Sequence, residues 1–185
     1  MQASSEALLR RARTNPEGFW IGYEEGPLRV GGFLTSITLD YDCRRYPSWF
    51  KATDYGSLST HDPDAGDVYI VNISVSPRSQ GQGVGSRLLS ALKRHAPEHA
   101  RRVVVVPRLE KAFASLPSVA DLEADRKLKF YGRNGFAIDT VYAETDVELQ
   151  GPQVGVVMSA PSTAKLRGEH PISRLASAES AAARY

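Results

Sequence analysis

Residues 67–86, DVYIVNISVSPRSQGQGVGS, decide the fold, because they join a strand pattern to the start of a helix through a glycine-rich loop. In the first half of this stretch, apolar residues recur at every second position. That period is typical of a β-strand, and it predicts that Tyr69, Val71, Ile73 and Val75 share one face. The opposite face turns polar towards the end of the strand, as expected where a strand leaves a core and borders a cleft.

The loop that follows contains Gly81, Gly83 and Gly85 and leads into a helix. Because glycine has no Cβ, the backbone there can approach a ligand closely and direct several N–H groups towards one place. A helix N-terminus carries about half a positive charge, which suits a phosphate or a diphosphate, and Ser86 adds a hydroxyl donor. We therefore predict an anion site at residues 80–86. The helix is expected to bury a stripe formed by Val84, Leu88, Leu89 and Leu92.

Two other nucleotide-binding loops fit this stretch less well. A P-loop requires a Lys followed by Ser or Thr after its glycines, and that pair is missing from the sequence here. A dinucleotide-binding loop could use Glu110 as its ribose contact, but its glycines are spaced G-x-G-x-x-G and directly follow the strand, whereas residues 76–80 intervene here. From the loop alone, the dinucleotide site and a tight turn without ligand remain open alternatives.

Apolar periodicity and turn residues predict the remaining elements. Residues 40–66 follow no period and contain many turn formers, which predicts a long loop. A capping box at Ser118 and Asp121 begins a second helix, which carries Tyr131 and stops at Asn134. The other elements are a helix at 5–13 with Leu8, Leu9 and Ala12 on one face, a hairpin of 19–25 with 28–39, and strands at 102–106, 136–146 and 153–159. This order predicts an α+β fold with a mixed sheet.

The composition is that of one globular domain. Of 185 residues, 42% are hydrophobic and 24% are charged, and the net charge is +2. We expect residues 1–160 to form the domain and residues 161–185 to form a loosely ordered tail. The small net charge argues against nucleic acid as a partner, and no apolar run approaches the ~18 residues that span a bilayer. Cys43 is the only cysteine and the N-terminus lacks a secretory pattern, so we expect a cytoplasmic protein.

Residues 75–85, VSPRSQGQGVG, resemble the acetyl-CoA signature of the GNAT superfamily, V-x-P-x-x-[Q/R]-x-x-G-x-[G/A]. Residues 130–136, FYGRNGF, are similar to the second motif of that superfamily, F-Y-x-x-x-G-F. The resemblance extends over residues 19–159. It implies the GNAT fold, a mixed, mostly antiparallel sheet flanked by helices, in which the central strands at 67–76 and 102–106 splay apart. It also implies an enzyme that moves an acetyl group from acetyl-CoA to a primary amine of a small molecule or peptide, by direct attack in a ternary complex and without a metal.

The same resemblance implies a role for each part of the site. The pantetheine arm would pair with backbone groups of Ile73, Ser74 and Val75 in the gap between the splayed strands. Tyr131 would protonate the departing thiolate, since a phenol with a pKa near 10 keeps its proton at neutral pH; a buried core aromatic is the alternative role for this tyrosine. The diphosphate would be wrapped by Gln80, Gly81, Gln82, Gly83, Val84, Gly85 and Ser86.

Three features depart from the superfamily pattern. Only 18 residues precede Phe19, so we expect a shortened N-terminal part, whose first strand and one helix are either absent or supplied by another chain or a fusion partner. A homodimer, or a partner that completes this part of the fold, is the expected assembly. Ala124 stands where an asparagine usually contacts the cofactor, and Arg126 is the expected replacement. The segment 40–66, where the acceptor would enter, has no recognisable pattern. A non-catalytic acyl-CoA-binding or interaction module is therefore the alternative to an active transferase.

The base that takes the proton from the amine is predicted at Asp67, where some relatives carry a catalytic carboxylate. A solvated residue at the end of a loop is the alternative role for Asp67. Asn72 occupies another position that is often acidic in relatives, but an amide cannot act as the base. Asp54, Glu24 and Glu25 are further candidates.

The residues available to an acceptor are less clearly marked. Arg44 and Arg45, with Trp49 and Phe50, either meet an anionic or aromatic acceptor or pin the loop to the domain. We expect no metal site. The acidic residues 62–67 lack the last ligand of a calcium loop, and a proline interrupts the spacing of the two histidines at 95 and 99.

Overall fold

The computed structural model describes residues 4–23, 29–111, 113, 116–144 and 153–162. Its strands are β1 (Phe19–Tyr23), β2 (Val30–Thr38), β3 (Asp67–Val75), β4 (Arg102–Val105), β5 (Ala137–Glu144) and β6 (Gln153–Pro161). They form one sheet in the order β1-β2-β3-β4-β6-β5. β3 and β4 pair in parallel, and the other neighbouring strands pair antiparallel. The predicted α+β class, with a mixed and mostly antiparallel sheet, is confirmed.

The described residues also form five α-helices, which are α1 (Ser5–Thr14), α2 (Trp49–Thr53), α3 (Val84–Arg94), α4 (Val119–Ala124) and α5 (Arg126–Arg133). The predicted apolar stripe of α3 is buried. The face predicted for α1 is wrong in part, because Leu9 is 58% exposed while Arg11 is buried. Arg11 lies three positions after Leu8, so the two side chains lie on the same side of the helix.

Two hydrophobic clusters cover the two faces of the sheet. The larger one, which we call the helix-side core, packs α3 and α5 against side chains such as Val103 and Val105 of β4. The smaller one, the loop-side core, packs Tyr41 and Leu58 of the 40–66 segment against Val104 of the same strand. Because successive residues of a strand point to opposite faces, the two clusters lie on opposite sides of the sheet.

A β-bulge at Val71 reverses the face pattern of β3. Thr35 of β2 pairs with Asn72 and the next residue of β2 pairs with Ile70, so Val71 has no partner in that register. Tyr69 and Val71 therefore pack in the loop-side core, whereas Ile73 and Val75 pack against the helix-side core. The prediction that these four side chains share one face is wrong, because the extra residue shifts the two-residue period.

β3 and β4 separate along their length. Asp67–Tyr69 pair with residues 102–104 of β4, and no register pair follows among the described residues. β3 nevertheless continues to Val75. The predicted splaying of the central strand pair is therefore present, and it begins next to the bulge.

The helix predicted from Ser118 to Asn134 is broken into two. The capping box is present, with the Ser118 hydroxyl accepting from the Asp121 amide and the Asp121 carboxylate accepting from the Ser118 amide. At Asp125 the backbone becomes extended, and its carboxylate accepts hydrogen bonds from the amides of Lys127 and Leu128 at 2.8 and 3.0 Å. An aspartate is a favoured N-cap, so Asp125 ends one helix and begins the next. Ala124 therefore does not belong to the helix that carries Tyr131.

The segment 40–66 is not wholly irregular, because it contains α2. The Ser48 hydroxyl accepts a hydrogen bond from the Lys51 amide and caps this short helix.

The predicted hairpin of β1 and β2 is present, although its turn at 24–28 lies outside the described residues. Most of the predicted tail, residues 163–185, also lies outside them. None of the helices described here is long and apolar enough to cross a bilayer.

Candidate active site

A cleft of about 1210 Å³ opens where β3 and β4 part. Its lining includes Ile70 and Tyr131, which belong to the helix-side core, and Trp49 and Val106, which pack against the loop-side core. The cleft therefore runs through the plane of the sheet and connects its two faces. Because no described strand pairs with β3 beyond Tyr69 on the β4 side, backbone groups of Ile73 and Val75 border this gap.

The glycine loop lies at the helix-side end of the cleft. Gly81 and Gly83 have φ values of 78° and 76°, in the left-handed region that glycine adopts without strain. Gly83 is the N-cap of α3, and the first intrahelical bond runs from the Arg87 amide to the Gly83 carbonyl at 2.9 Å. The amides of the first turn are left without intrahelical acceptors, and no side chain caps them. They point their partial positive charge at the cleft, which fits a diphosphate.

Gly85 allows α3 to approach α5 closely. A Cβ at this position would lie 3.0 Å from Cζ of Phe130, the first residue of the second sequence motif. The glycine thus brings the positive end of α3 next to the helix that carries Tyr131. The two sequence motifs, which are about fifty residues apart, meet at this contact.

Tyr131 is buried and packs edge-on against Phe130 and Phe136, with ring centroids 5.2 and 5.5 Å away. It lines the cleft, and no described residue hydrogen-bonds to its hydroxyl. Burial raises the pKa of the Tyr131 phenol above its usual value near 10. The phenol therefore stays protonated at neutral pH and has a hydrogen to donate.

Arg126 also lines the cleft, at the start of α5. Its Nε lies 3.8 Å from a carboxylate oxygen of Glu110, and its side chain is largely exposed. Further basic side chains border the same end of the cleft: Arg108, Lys111, Lys127 and Arg133. This positive rim complements an anionic ligand that carries more than one phosphate.

The structure brings most of the predicted cofactor-binding residues together. The cleft lining includes Ile73, Val75, Gln80, Gly81, Gly83, Val84, Gly85, Ser86 and Arg126, whose binding roles remain predictions. Ser74 and Gln82 do not line the cleft. Ser74 is exposed and pairs with Phe33 of β2, and the Gln82 side chain donates to the Arg78 carbonyl at 2.8 Å.

Asp67 lies away from the cleft lining, at the opposite end of β3. Its carboxylate is buried and accepts hydrogen bonds from the Arg102 guanidinium at 2.9 and 3.1 Å and from the Tyr41 amide at 3.1 Å. These contacts link β3, β4 and the start of the 40–66 segment. The structure thus does not bring Asp67, the predicted base, close to Tyr131. Asp67 is not a solvated loop residue either, because it forms a buried ion pair with Arg102.

The other predicted bases are not brought to the cleft either. Asp54 is exposed, and hydrogen bonds from the Ser59 and Ser57 hydroxyls, in that order of strength, lower its pKa. Glu24 and Glu25 lie outside the described residues. Asn72 does line the cleft, beside the bulge. In the part of the chain that the structure describes, no three His, Cys, Asp or Glu side chains converge to hold a metal ion.

The loop-side end of the cleft contains Trp49 and Phe50 of α2. Trp49 is held by a hydrogen bond of 2.8 Å from its Nε1 to the Val71 carbonyl. Arg44 and Arg45 are not part of the lining, and Arg45 instead stacks on Tyr46. The cation at this end is Arg11 of α1, which the sequence interpretation missed. The one feature of the sequence that could have indicated the burial of Arg11 is its position on the same side of α1 as Leu8.

A protein-family model described as an acetyltransferase (GNAT) domain matches residues 48–138. The chain is 31% identical over 90 residues to the uncharacterized N-acetyltransferase YkwB of Bacillus subtilis (strain 168). That match covers 48% of this chain and 39% of YkwB, so the chain corresponds to well under half of this curated relative.

Solved structures with the same fold include proteins that hold acyl-CoA. The GphF GNAT-like decarboxylase in complex with isobutyryl-CoA superposes with a TM-score of 0.58 at 21% identity, over 88% of this chain and 87% of that one. The yncA protein of Salmonella typhimurium with acetyl-CoA superposes with a TM-score of 0.55 at 15% identity, over 91% of this chain and 80% of that one. At these identities the superpositions establish the fold.

Proposed function

We propose that the chain transfers an acyl group from an acyl-CoA, acetyl-CoA in the simplest case, to an amine, as the match of a GNAT acetyltransferase domain model to residues 48–138 and the shared fold suggest. The observation that carries this proposal is the meeting of three features in one cleft. They are the uncapped N-terminus of α3, the unpaired edge of β3 and the hydroxyl of Tyr131. Together they can hold a diphosphate, an extended amide-bearing arm and a leaving group.

Acyl-CoA supplies a thioester: the amine forms a C–N bond to the carbonyl carbon, the C–S bond breaks, the nitrogen loses a proton and the sulfur gains one. The first-turn amides of α3 and the Ser86 hydroxyl hold the diphosphate in place. Ile73 and Val75 offer backbone groups that orient the arm along β3. Tyr131 donates its phenolic proton to the leaving sulfur and recovers one from solvent after release of the product.

The fate of the amine proton follows from the charges around the cleft. Glu110 is the one carboxylate among the described lining residues, and Arg126 lies beside it. For Asp67 to act as the base, its buried ion pair with Arg102 would have to open. We therefore propose that the proton leaves through water near Asn72, whose amide can accept and donate hydrogen bonds but does not ionise.

The test is to incubate the protein with acetyl-CoA and a panel of primary amines and to measure free thiol. In parallel, thermal denaturation with and without CoA reports binding, which would add about 2.7 kcal/mol of stability at a hundredfold excess over the dissociation constant. Binding with amine-dependent thiol release supports the proposal. Binding without release for any amine would instead identify a non-catalytic acyl-CoA module, and absence of binding would overturn both.

A further inference from the structure

Arg11 is a buried cation at the loop-side end of the cleft. It lies on α1, it is only 7% exposed, and it lines the cleft together with Trp49 and Phe50. Its neighbours Arg10 and Arg13 on the same helix are exposed. The chain thus buries one member of an arginine cluster and leaves the others in water.

The guanidinium of Arg11 has no anionic partner among the described residues. Its Cζ lies 5.5 Å from the centre of the Trp49 ring, and its Nε is buried without a hydrogen-bond partner. Burial, and secondly the charge of Arg10, lower the pKa of Arg11 from its usual value of 12.5. The group nevertheless remains charged at neutral pH, since the pKa of arginine starts far above 7.

A buried, unpaired charge is unfavourable, and an anion that enters the site relieves this penalty. The guanidinium lies over the Trp49 ring, which offers a π-face but no hydrogen-bond acceptor, so its N–H donors remain available to a ligand. A planar fork of N–H donors matches a carboxylate. The diphosphate is not the anion in question, because α3 and its glycine loop pack on the opposite face of the sheet.

We infer that Arg11 binds the carboxylate of an acceptor that carries both an amine and a carboxylate. This inference rests on the proposed function, because it names the class of amine that the transferase accepts. Trp49 fixes the guanidinium, and Trp49 is itself tied to the carbonyl of the bulge residue Val71. The carboxylate therefore docks on the loop side, and the amine of the same molecule extends towards the gap between β3 and β4.

The test is calorimetric titration of the CoA-loaded protein with matched pairs of compounds. Each pair consists of an amino acid and the amine of the same skeleton without its carboxylate, over aliphatic and aromatic skeletons and several spacings between the two groups. We expect at least one amino acid to bind about 10- to 100-fold more tightly than its amine, the range of a charge-assisted hydrogen-bond pair. Two further sets of titrations complete the test. In one, a phosphonate replaces the carboxylate of each amino acid, and in the other, succinyl-CoA replaces CoA.

Variants separate recognition from folding. Arg11→Met is expected to remove the preference, whereas Arg11→Lys, which keeps the charge but lacks the planar fork, is expected to keep part of it. Arg10→Met makes the same charge change on the exposed side of α1 and should leave the preference intact. CoA binding by each variant confirms that the helix-side end of the cleft has folded.

The inference would be overturned if every amino acid bound no more tightly than its matched amine, or if the preference for the amino acid survived in Arg11→Met. It would also be overturned if only the phosphonate analogues bound more tightly than the amines, or if Arg11 strengthened the binding of succinyl-CoA but of no amino acid. All are binding results, so they do not depend on turnover. Thiol release by the same compounds, measured in parallel with acetyl-CoA in place of CoA, reports the proposed function separately. Arg11-dependent binding of an amino acid without thiol release would support the site and refute the transferase.

Discussion

The indole of Trp49 donates a hydrogen bond of 2.8 Å to the carbonyl of Val71, the residue at which β3 bulges. This contact ties α2 to the point where β3 begins to part from β4. Trp49, which lines the loop-side end of the cleft, is thus bonded to the bulge next to which β3 and β4 separate. The five predictions below test the cleft and the contacts that support it.

Replacement of Trp49 by Phe removes the indole N–H and leaves the Val71 carbonyl without that donor. We expect a loss of about 1 kcal/mol in unfolding free energy, and a weaker hold on the acceptor with CoA binding unchanged. Urea denaturation and the separate KM values for acceptor and acetyl-CoA are the measurements. Trp20→Phe is the matched control, because it removes the same ring atoms while the Trp20 Nε1 is buried without a partner, so it should destabilise the protein less than Trp49→Phe does. Equal losses in both variants would contradict the role given to the Val71 contact.

Replacement of Tyr131 by Phe keeps the ring packing and removes the proton donor. We expect kcat to fall by about 100-fold, the lower range for loss of a general acid, while the dissociation constant for CoA changes little. Thiol release and thermal shift measure the two quantities. A variant that retained more than a third of wild-type kcat would refute the general-acid role.

The pH dependence of stability should also reveal Tyr131. An unfolded tyrosine ionises near pH 10, whereas the folded phenol keeps its proton because burial raises its pKa. Above pH 10 the unfolded state therefore binds fewer protons, and stability falls as pH rises, by about 1.4 kcal/mol per pH unit for this group. The loss continues up to the folded pKa and is absent below pH 9. Urea unfolding of wild type and Tyr131→Phe between pH 8 and 11 should show a shallower decline in the variant; identical slopes would contradict the burial effect.

Replacement of Gly85 by Ala places a methyl group 3.0 Å from the Phe130 ring, so the ring and the first turn of α3 must move apart by a few tenths of an ångström. Overpacking of this kind costs about 1–3 kcal/mol, and it should weaken CoA binding because the first-turn amides move. Phe130→Leu in the same chain removes ring atoms at the contact and should restore part of both losses. If the double variant were no better than Gly85→Ala alone, the Phe130 contact would not be the reason for the glycine.

Replacement of Asp67 by Asn tests the structural role of this carboxylate. It leaves Arg102 with Asp139 at 3.2 Å as its remaining anionic partner. We expect the free energy of unfolding to fall by about 2 kcal/mol. This is less than the ~3–5 kcal/mol for breaking a fully buried pair, because the Arg102 side chain is partly exposed. Asp64→Asn, at an exposed position before β3, is the matched control. Activity should persist at temperatures where the variant remains folded; a hundredfold fall in kcat there would restore Asp67 as the base.

Local sequence was sufficient to predict most of the elements and to mark residues 80–86 as a candidate anion site. Glycine conformation, capping and periodicity act over a few residues, so they predicted the strand, glycine loop and helix at 67–94 and the hairpin of β1 with β2. The order of the elements along the chain predicted the mixed sheet. The splayed pair and the significance of the FYGRNGF motif were implied by the resemblance to the GNAT superfamily. The same reasoning mistook α4 and α5 for one helix, since both follow the 3.6-residue pattern and only the Asp125 cap divides them.

What tertiary structure alone decided is which side chains meet across the sheet. The bulge at Val71 is a matter of register against β2, and a shift of one residue moves Ile73 and Val75 to the opposite face from Tyr69. Asp67 became an ion-pair partner because β4 brings Arg102 beside it, 35 positions further along the chain. Arg11 entered the cleft because α1 brings its guanidinium over the ring of Trp49, 38 positions further along the chain. Such contacts depend on strand register and on packing between distant segments, and no local pattern of residues carries that information.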